Sequence, residues 1–281
     1  MMIRNALAKI NLSLEVGPKA ANGYHTINSL ILFADLGETV RLQPAETNSS
    51  INLNGPQAHM IDRKAPNLVA KAQHWFEAIT GEILHCTWQI HKTIPVAAGL
   101  GGGSSDAAAA LHLMEQMSGR QLNQDELQRL ATELGSDIPA CYHGQAARIE
   151  GNGEIIKPRT APPCYLVLAS PMVALSTRLM FEAFDNAFPA PRPIARDAHD
   201  NHHSDMLLEA RQSRNDFQDL AIQTCPAIGT ILNMLIANPT CKLARLSGSG
   251  AACFGLFEQA EPARQAARSL PCPWVAVARA Q

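Results

Sequence analysis

Four glycines within five residues, in the run Gly99-Leu100-Gly101-Gly102-Gly103-Ser104-Ser105, constrain the fold of this chain more than any other feature. The run follows residues 87–94, where Trp88, Ile90 and Lys92 alternate as on one face of a strand. It precedes Ala107, Ala110, Leu111, Met114 and Met117, which form one stripe of a helix that Gly119 closes. Without Cβ atoms the backbone can turn sharply and bring its N–H groups close to an anion. The helix that follows adds unsatisfied donors and a positive dipole end. Strand, glycine turn and helix in this order predict a phosphate-binding loop, with Ser104 and Ser105 supplying hydroxyls to phosphate or to Mg2+.

Two common glycine motifs do not match. A Walker A loop ends in Gly-Lys-Ser/Thr, and this one ends in Gly-Ser-Ser. The dinucleotide fingerprint needs Gly or Ala at its sixth position, which is Ser104 counted from Gly99 and Asp106 counted from Gly101.

Near the N-terminus Ile10, Leu12, Leu14 and Val16 alternate with Lys9, Asn11, Ser13 and Glu15, predicting a half-buried strand with Lys9 and Asn11 on its non-core face. Asn22-Gly23 marks a turn, and residues 29–33 and 39–42 read as two further extended stretches. Asn67 is placed to cap a helix bearing Leu68, Val69, Ala72, Trp75, Phe76 and Ile79, with Gly81 at its end. Asn123 with Glu126 predicts a capping box for a helix through Leu127, Leu130 and Leu134. Gly135 stops that helix, and Pro139 follows, so Asp137 sits in a rigid turn. The Pro-rich residues 158–163 suggest a lobe boundary. Beyond it come strands at 165–169, 242–246, 253–257 and 274–278, and helices from Thr177 and around 205–211, 226–237 and 261–270. Ser247-Gly248-Ser249-Gly250 joins two of those strands, and residues 189–203 read as a surface loop. Strands and helices mixed in both halves define an α+β class.

At 281 residues, 46% hydrophobic and 17% charged, the chain can bury the cores of two lobes. A net charge of -2 without a Lys/Arg run excludes a nucleic-acid partner, which needs a basic surface. Lys9 and Asn11 interrupt the N-terminal apolar stretch, so no secretory leader is read, and no segment reaches the ~20 apolar residues of a membrane span. A cytoplasmic location is expected. The seven cysteines, at 86, 141, 164, 225, 241, 253 and 272, include no Cys-x-x-Cys, so they read as buried thiols rather than as disulfides or a zinc ribbon. His199, His202 and His203 lack a further ligand and are not read as a metal site.

Taken together, Pro-Val-Ala-Ala-Gly-Leu-Gly-Gly-Gly-Ser-Ser-Asp at 95–106, Ala-Lys-Ile-Asn-Leu at 8–12 and Leu-Ser-Gly-Ser-Gly at 246–250 resemble the three motifs of the GHMP kinases. The resemblance implies an ATP-binding lobe at 1–158 of the ribosomal-protein-S5-domain-2 type. A ferredoxin-like lobe would follow at 159–281, with the active site in the cleft between the two. It implies transfer of the γ-phosphate of ATP, carried with Mg2+, to a hydroxyl of a small molecule, by a monomer or weak homodimer. Pro95, Ala97, Ala98, Gly99, Leu100, Gly101, Gly102, Gly103, Ser104 and Ser105 would hold the triphosphate, and Asn67, Leu68, Val69 and Lys92 the adenosine side. Gly-Ser-Asp-Ile-Pro at 135–139 resembles the family's Gly-x-Asp-x-Pro motif, making Asp137 catalytic with Lys9 beside it.

Asn22-Gly23-Tyr24-His25-Thr26 resembles the branch whose acceptor is a diphosphocytidyl-linked methylerythritol, phosphorylated at its C2 hydroxyl in the non-mevalonate isoprenoid pathway. Tyr24 and Phe181 would then sandwich the cytosine, at ~1–3 kcal/mol per stacked base. His25 would hydrogen-bond the base edge, and Asn11, Ser247, Gly248 and Ser249 would contact the acceptor. A homoserine- or mevalonate-type kinase and a non-catalytic nucleotide-binding protein are the competing readings. Two departures bear on the loop: Ala97 and Ala98 stand where some members carry glycine and should stiffen it, and Asp106 replaces an Asn and should add charge near the phosphates. Residues 189–203 match nothing in the family.

Overall fold

The fold comes from a computed structural model that describes residues 1–19, 23–62, 64–190, 194 and 205–281. The turn residue Asn22, the histidines His199, His202 and His203, and all of residues 189–203 except Pro189, Ala190 and Ile194 lie outside the described residues.

The chain packs as two compact units, neither of which is a single stretch of sequence. The first comprises Met1–Ala8, Gly37–Val96 and Gly101–Gly144; the second comprises Lys9–Leu36, Ala97–Leu100 and Gln145–Gln281. A division after residue 158 therefore follows chain order, whereas the packing units share the first long strands.

The N-terminal half runs β1 (Met2–Asn11), β2 (Glu15–Lys19), β3 (His25–Pro44), β4 (Ser50–Asn54), α1 (Leu68–Thr80), β5 (Cys86–His91), α2 (Gly102–Ser118), α3 (Gln124–Glu133) and α4 (Ile138–His143). In the first unit β5 pairs antiparallel with residues 39–44 of β3 and parallel with β4. Helices α1 and α2 pack together, and Trp88, Phe76, Leu42 and Leu111 are fully buried in this unit's core. The caps are those the sequence predicts. Asn67 Oδ1 accepts from Val69 N–H at 2.8 Å, Gly81 closes α1 in the left-handed region at φ 75°, and Asn123 with Glu126 forms a reciprocal capping box.

The C-terminal half runs β6 (Ala147–Gly151), β7 (Ile155–Pro158), β8 (Tyr165–Ser170), α5 (Thr177–Ala187), α6 (Met206–Gln212), α7 (Gln218–Thr224), α8 (Pro226–Ala237), β9 (Cys241–Leu246), β10 (Cys253–Phe257), α9 (Ala260–Ser269) and β11 (Trp274–Arg279). In the second unit β6 pairs antiparallel with residues 27–31 of β3 and with β7. A separate antiparallel sheet has the order β11-β8-β10-β9, with α8 and α9 packed on it. Strand, helices, two strands, helix and strand in that order make the ferredoxin-like arrangement. Phe217, Phe257, Ile228 and Leu246 lie at the centre of its core.

Two expectations change. The N-terminal strand spans residues 2–11 rather than continuing to 16. Leu12 and Ser13 both donate to the Leu30 carbonyl (2.7 and 3.4 Å), which breaks the pleat there. Lys9 and Asn11 do share a face, but each is only 5% exposed, so that face is enclosed rather than solvated. Residues 29–33 and 39–42 belong to one 20-residue strand, β3. The polar, glycine-containing stretch at 35–38 imitates a turn. Gly37 is needed there for a different reason: a Cβ would lie 2.1 Å from the Ala6 carbonyl oxygen.

Candidate active site

The glycine run adopts the shape its composition predicts. Ala97, Gly99 and Gly101 are all left-handed, with φ of 52°, 75° and 69°. Such alternation curls successive N–H groups toward one concave side, as in anion-binding nests. Gly101 caps α2 without a side-chain hydrogen bond, so the donors of the first turn have no cap acceptor. A 17-residue helix begins there, with its dipole end at the loop. Ser104 is half-buried in the first turn, whereas Ser105 is 3% exposed and its hydroxyl donates to the Leu7 carbonyl at 2.7 Å. Ser105 thus serves the backbone of β1, whereas the Ser104 side chain stays half-buried in the first turn of α2.

Within the second unit, three segments far apart in sequence meet. The carbonyl of Leu100 accepts from Lys9 N–H at 2.9 Å, and that of Ala98 accepts from Ala252 N–H at 2.9 Å. Ser247 Oγ donates to the Gly99 carbonyl (2.8 Å) and accepts from Asn11 N–H (3.1 Å). The approach is too close for side chains. A Cβ on Gly99 would lie 2.1 Å from the Ser247 carbonyl oxygen, and Gly248, at φ 56°, sits beside Asn11 Oδ1 and the Gly99 carbonyl. Asn11 Nδ2 donates to Ser29 Oγ at 2.8 Å, while Ser249 Oγ and Thr177 Oγ1 are 2.9 Å apart. The sequence reading missed Asn215, whose amide donates to the carbonyls of Leu246 and Gly248 (2.9 and 2.8 Å) and fixes the 246–250 turn. Nothing in its local sequence marks it out.

Asp137 belongs to the first unit, at the N-cap position of α4. Gly135 at φ 150° and Pro139 at the second helical position fix its backbone, and the carboxylate does not cap the helix. On the expected adenosine side, Asn67 caps α1. Val69 is fully buried and gives its N–H to that cap, so its side chain serves the core. Leu68 is half-buried, and a Cβ on Gly103 would meet its Cδ1 at 3.2 Å.

Lys92 and Asp106 depart from expectation. Lys92, 5% exposed, pairs its ammonium with Asp106 Oδ2 at 2.7 Å and with Glu38 Oε2. Burial, then the neighbouring Asp106, raises Glu38 to about 9, and burial pushes Asp106 up as well. Burial alone would lower Lys92, but the two carboxyls outweigh it and hold it above its ordinary value. At neutral pH Glu38 is therefore a carboxylic acid, and Lys92 is a cation held between it and Asp106. Asp106 adds no uncompensated charge to the phosphate loop, and Lys92 is a buried counter-ion.

His25 lies in the second unit with Nδ1 2.9 Å from the Gly17 carbonyl, its ring stacked on Phe181 at 5.4 Å and 17°. Phe181 also meets Phe217 edge-on at 4.8 Å. Tyr24 is 69% exposed. His25 thus occupies the Phe181 face in this structure.

All seven cysteines carry thiols and are buried or half-buried, the burial the sequence predicts. Among the described residues no group of three or more His, Cys, Asp or Glu side chains is arranged to hold a metal, and no helix is long and apolar enough to cross a membrane.

The family profiles for the GHMP kinases N-terminal domain and the GHMP kinases C-terminal domain match residues 67–145 and 180–276. The chain belongs to the GHMP kinase family and has its two-domain fold. It is 40% identical over 279 residues to the 4-diphosphocytidyl-2-C-methyl-D-erythritol kinase of Paramagnetospirillum magneticum, covering 98% of this chain and 96% of that one. It is 41% identical over 268 residues to the enzyme of the same name from Roseobacter denitrificans, covering 94% and 87%. Among solved structures, a 4-(cytidine 5'-diphospho)-2C-methyl-D-erythritol kinase superposes with a TM-score of 0.79 over 99% of both chains at 28% identity. Homoserine kinase from Cytophaga hutchinsonii shares the fold at a TM-score of 0.67 and 14% identity, over 97% of this chain and 94% of that one.

Proposed function

We propose that this kinase transfers the γ-phosphate of Mg2+–ATP to the C2 hydroxyl of 4-diphosphocytidyl-2-C-methyl-D-erythritol, giving the 2-phosphate for isoprenoid precursor synthesis in the cytoplasm. The observation that carries the reading is the hydrogen-bonded convergence of residues 9–11, Ala97–Leu100 and the 246–250 turn, the three stretches that define the family motifs. The curated relatives that bear this name match nearly the whole chain.

Phosphoryl transfer asks a protein mainly for positioning and charge stabilisation. The loop N–H groups and the first turn of α2 receive the triphosphate, and Ser104 would help hold Mg2+, which would supply neutralisation of the phosphate charge. Asp137 takes or orients the proton of the acceptor hydroxyl. Lys9 lowers that oxygen's pKa and screens the charge that develops on it. Tyr24, His25 and Phe181 recognise the cytosine.

A coupled ADP-release assay with Mg2+–ATP tests the reading, offering the cytidylated acceptor beside homoserine, mevalonate and galactose. ADP release with the cytidylated alcohol alone is expected. Release with another acceptor would keep the phosphate site but discard the assigned substrate. ATP binding without turnover of any acceptor would leave a nucleotide-binding protein.

A further inference from the structure

The His25 ring is held by a carboxylate that belongs to none of the motifs. Asp185 lies on α5 four residues after Phe181, so the two share one helix face. Its Oδ1 is 2.8 Å from Nε2 of His25 and its Oδ2 is 3.2 Å from Nζ of Lys19. On the opposite edge of the ring, the Gly17 carbonyl lies 2.9 Å from Nδ1. A carbonyl only accepts, so Nδ1 carries a hydrogen. The Nε2···Oδ1 approach is close but falls outside the angular range of a hydrogen bond, so the carboxylate bounds that edge of the ring by its position rather than by a directed bond. Phe181 lies parallel to one face, and Phe184 meets the ring edge-on at 6.0 Å and 86°. The His25 side chain is 9% exposed, against 39% for Asp185 and 55% for Lys19.

Two roles for Asp185 are conceivable: it competes with a nucleobase for Nε2, or it keeps the ring in register with Phe181. The second fits better. Lys19 pairs with the other carboxylate oxygen, which tethers Asp185 where it stands. The Gly17 carbonyl already sets the ring's other edge, and the His25–Phe181 stack needs both edges fixed to stay parallel.

We propose that Asp185 is a positioning residue for nucleoside recognition, holding the His25 ring parallel to Phe181 so that the two present a preformed aromatic wall to a pyrimidine. The proposal rests on the cytidine-linked reading of the substrate. Preorganisation of this kind lowers the ordering cost of binding. Because the carboxylate is partly exposed, its removal should weaken binding about five-fold, equivalent to ~1 kcal/mol.

The test compares wild type, Asp185→Ala and Asp185→Asn. Binding of cytidine 5'-diphosphate is measured by calorimetry with the ATP site saturated by a non-hydrolysable analogue, and KM is measured for both substrates. Asp185→Ala should weaken the cytidine nucleotide and raise the acceptor KM about five-fold, with kcat and the ATP KM changed less than two-fold. Asp185→Asn keeps an oxygen toward Nε2 and should recover most of the loss. A general structural defect would instead move both KM values together and resist rescue. Unchanged or tighter nucleotide binding in Asp185→Ala overturns the proposal. The imidazole nitrogen resonances of His25 in labelled protein provide a readout independent of substrate. They should move in Asp185→Ala, and unmoved resonances overturn the proposal even if the acceptor proves to be another alcohol.

Discussion

Replacing Lys92 by methionine keeps the packing of the side-chain stem but leaves Glu38 and Asp106 without their cation. Glu38 is 1% exposed and Asp106 4%, so water cannot take the place of the ammonium. Removing one partner of a buried ion pair typically costs roughly 3–5 kcal/mol. In domains of 150–250 residues each kcal/mol lowers Tm by about 2–4 °C, so a fall of roughly 10 °C at pH 7 is expected. The pH dependence has a definite sign. Burial, then Asp106, raises Glu38 from its ordinary 4.5 to about 9, so between those values the fold retains a proton that the unfolded chain has released. The stability this group contributes is fully present below 4.5 and declines as pH climbs through about 9. Glu38→Gln imitates the protonated form permanently and should flatten that decline. Thermal melts of wild type and both variants at acid, neutral and alkaline pH measure each term. A fall of less than about 2 °C for Lys92→Met, small against the scale above, would refute neutralisation by the ammonium. An unchanged pH slope in Glu38→Gln would refute the buried proton.

Asp137→Asn should retain ATP binding while kcat falls about 10²–10⁴-fold, and near-normal turnover would remove Asp137 from the chemistry. Gly99→Ala would place a methyl 2.1 Å from the Ser247 carbonyl oxygen at a φ of 75°, so ATP affinity should drop at least about ten-fold, the scale of ~1.4 kcal/mol. Wild-type affinity by calorimetry would show that the loop can follow another path. Asn67→Ala removes the acceptor for Val69 N–H and should cost ~1 kcal/mol in denaturant unfolding, and no measurable loss would mean that the cap is replaced by water.

Local rules made much of this molecule legible before any coordinates. The bounds of α1, α2 and α3 follow from Asn67, Gly81, Gly119 and the Asn123–Glu126 box, because caps act within one helical turn. The C-terminal strands were readable from alternation and turn residues. β3 was not, since its polar middle is held by the close approach of Ala6 to Gly37 and not by local preference. β6 was not read either, although Ala147 and Ile149 alternate there with Arg148 and Glu150, and the four residues of β7 are too few to show a period. At the candidate site the glycine motifs announced themselves, but their supports did not. Glu38 lies 54 residues from Lys92, and Asn215 lies 31 and 33 residues from the carbonyls it holds. Pairings at such separations leave no mark in a local window.

The interleaving of the two units has a consequence for how the chain is made. It passes between units after Ala8, Leu36, Val96, Leu100 and Gly144, so no single cut of the gene yields two self-sufficient fragments. The segment Lys9–Leu36 leaves the ribosome early, yet it belongs to the unit completed last. The Asp35 carboxylate accepts from Arg279 N–H, 244 residues later, and the Phe33 carbonyl accepts from Gln281 N–H. At about 5–20 residues per second, roughly 12–50 s pass before those partners exist. β6, which pairs with residues 27–31, is made well before them, so within the enclosed apolar run of residues 30–33 it is the Phe33 carbonyl that waits for the last residue of the chain.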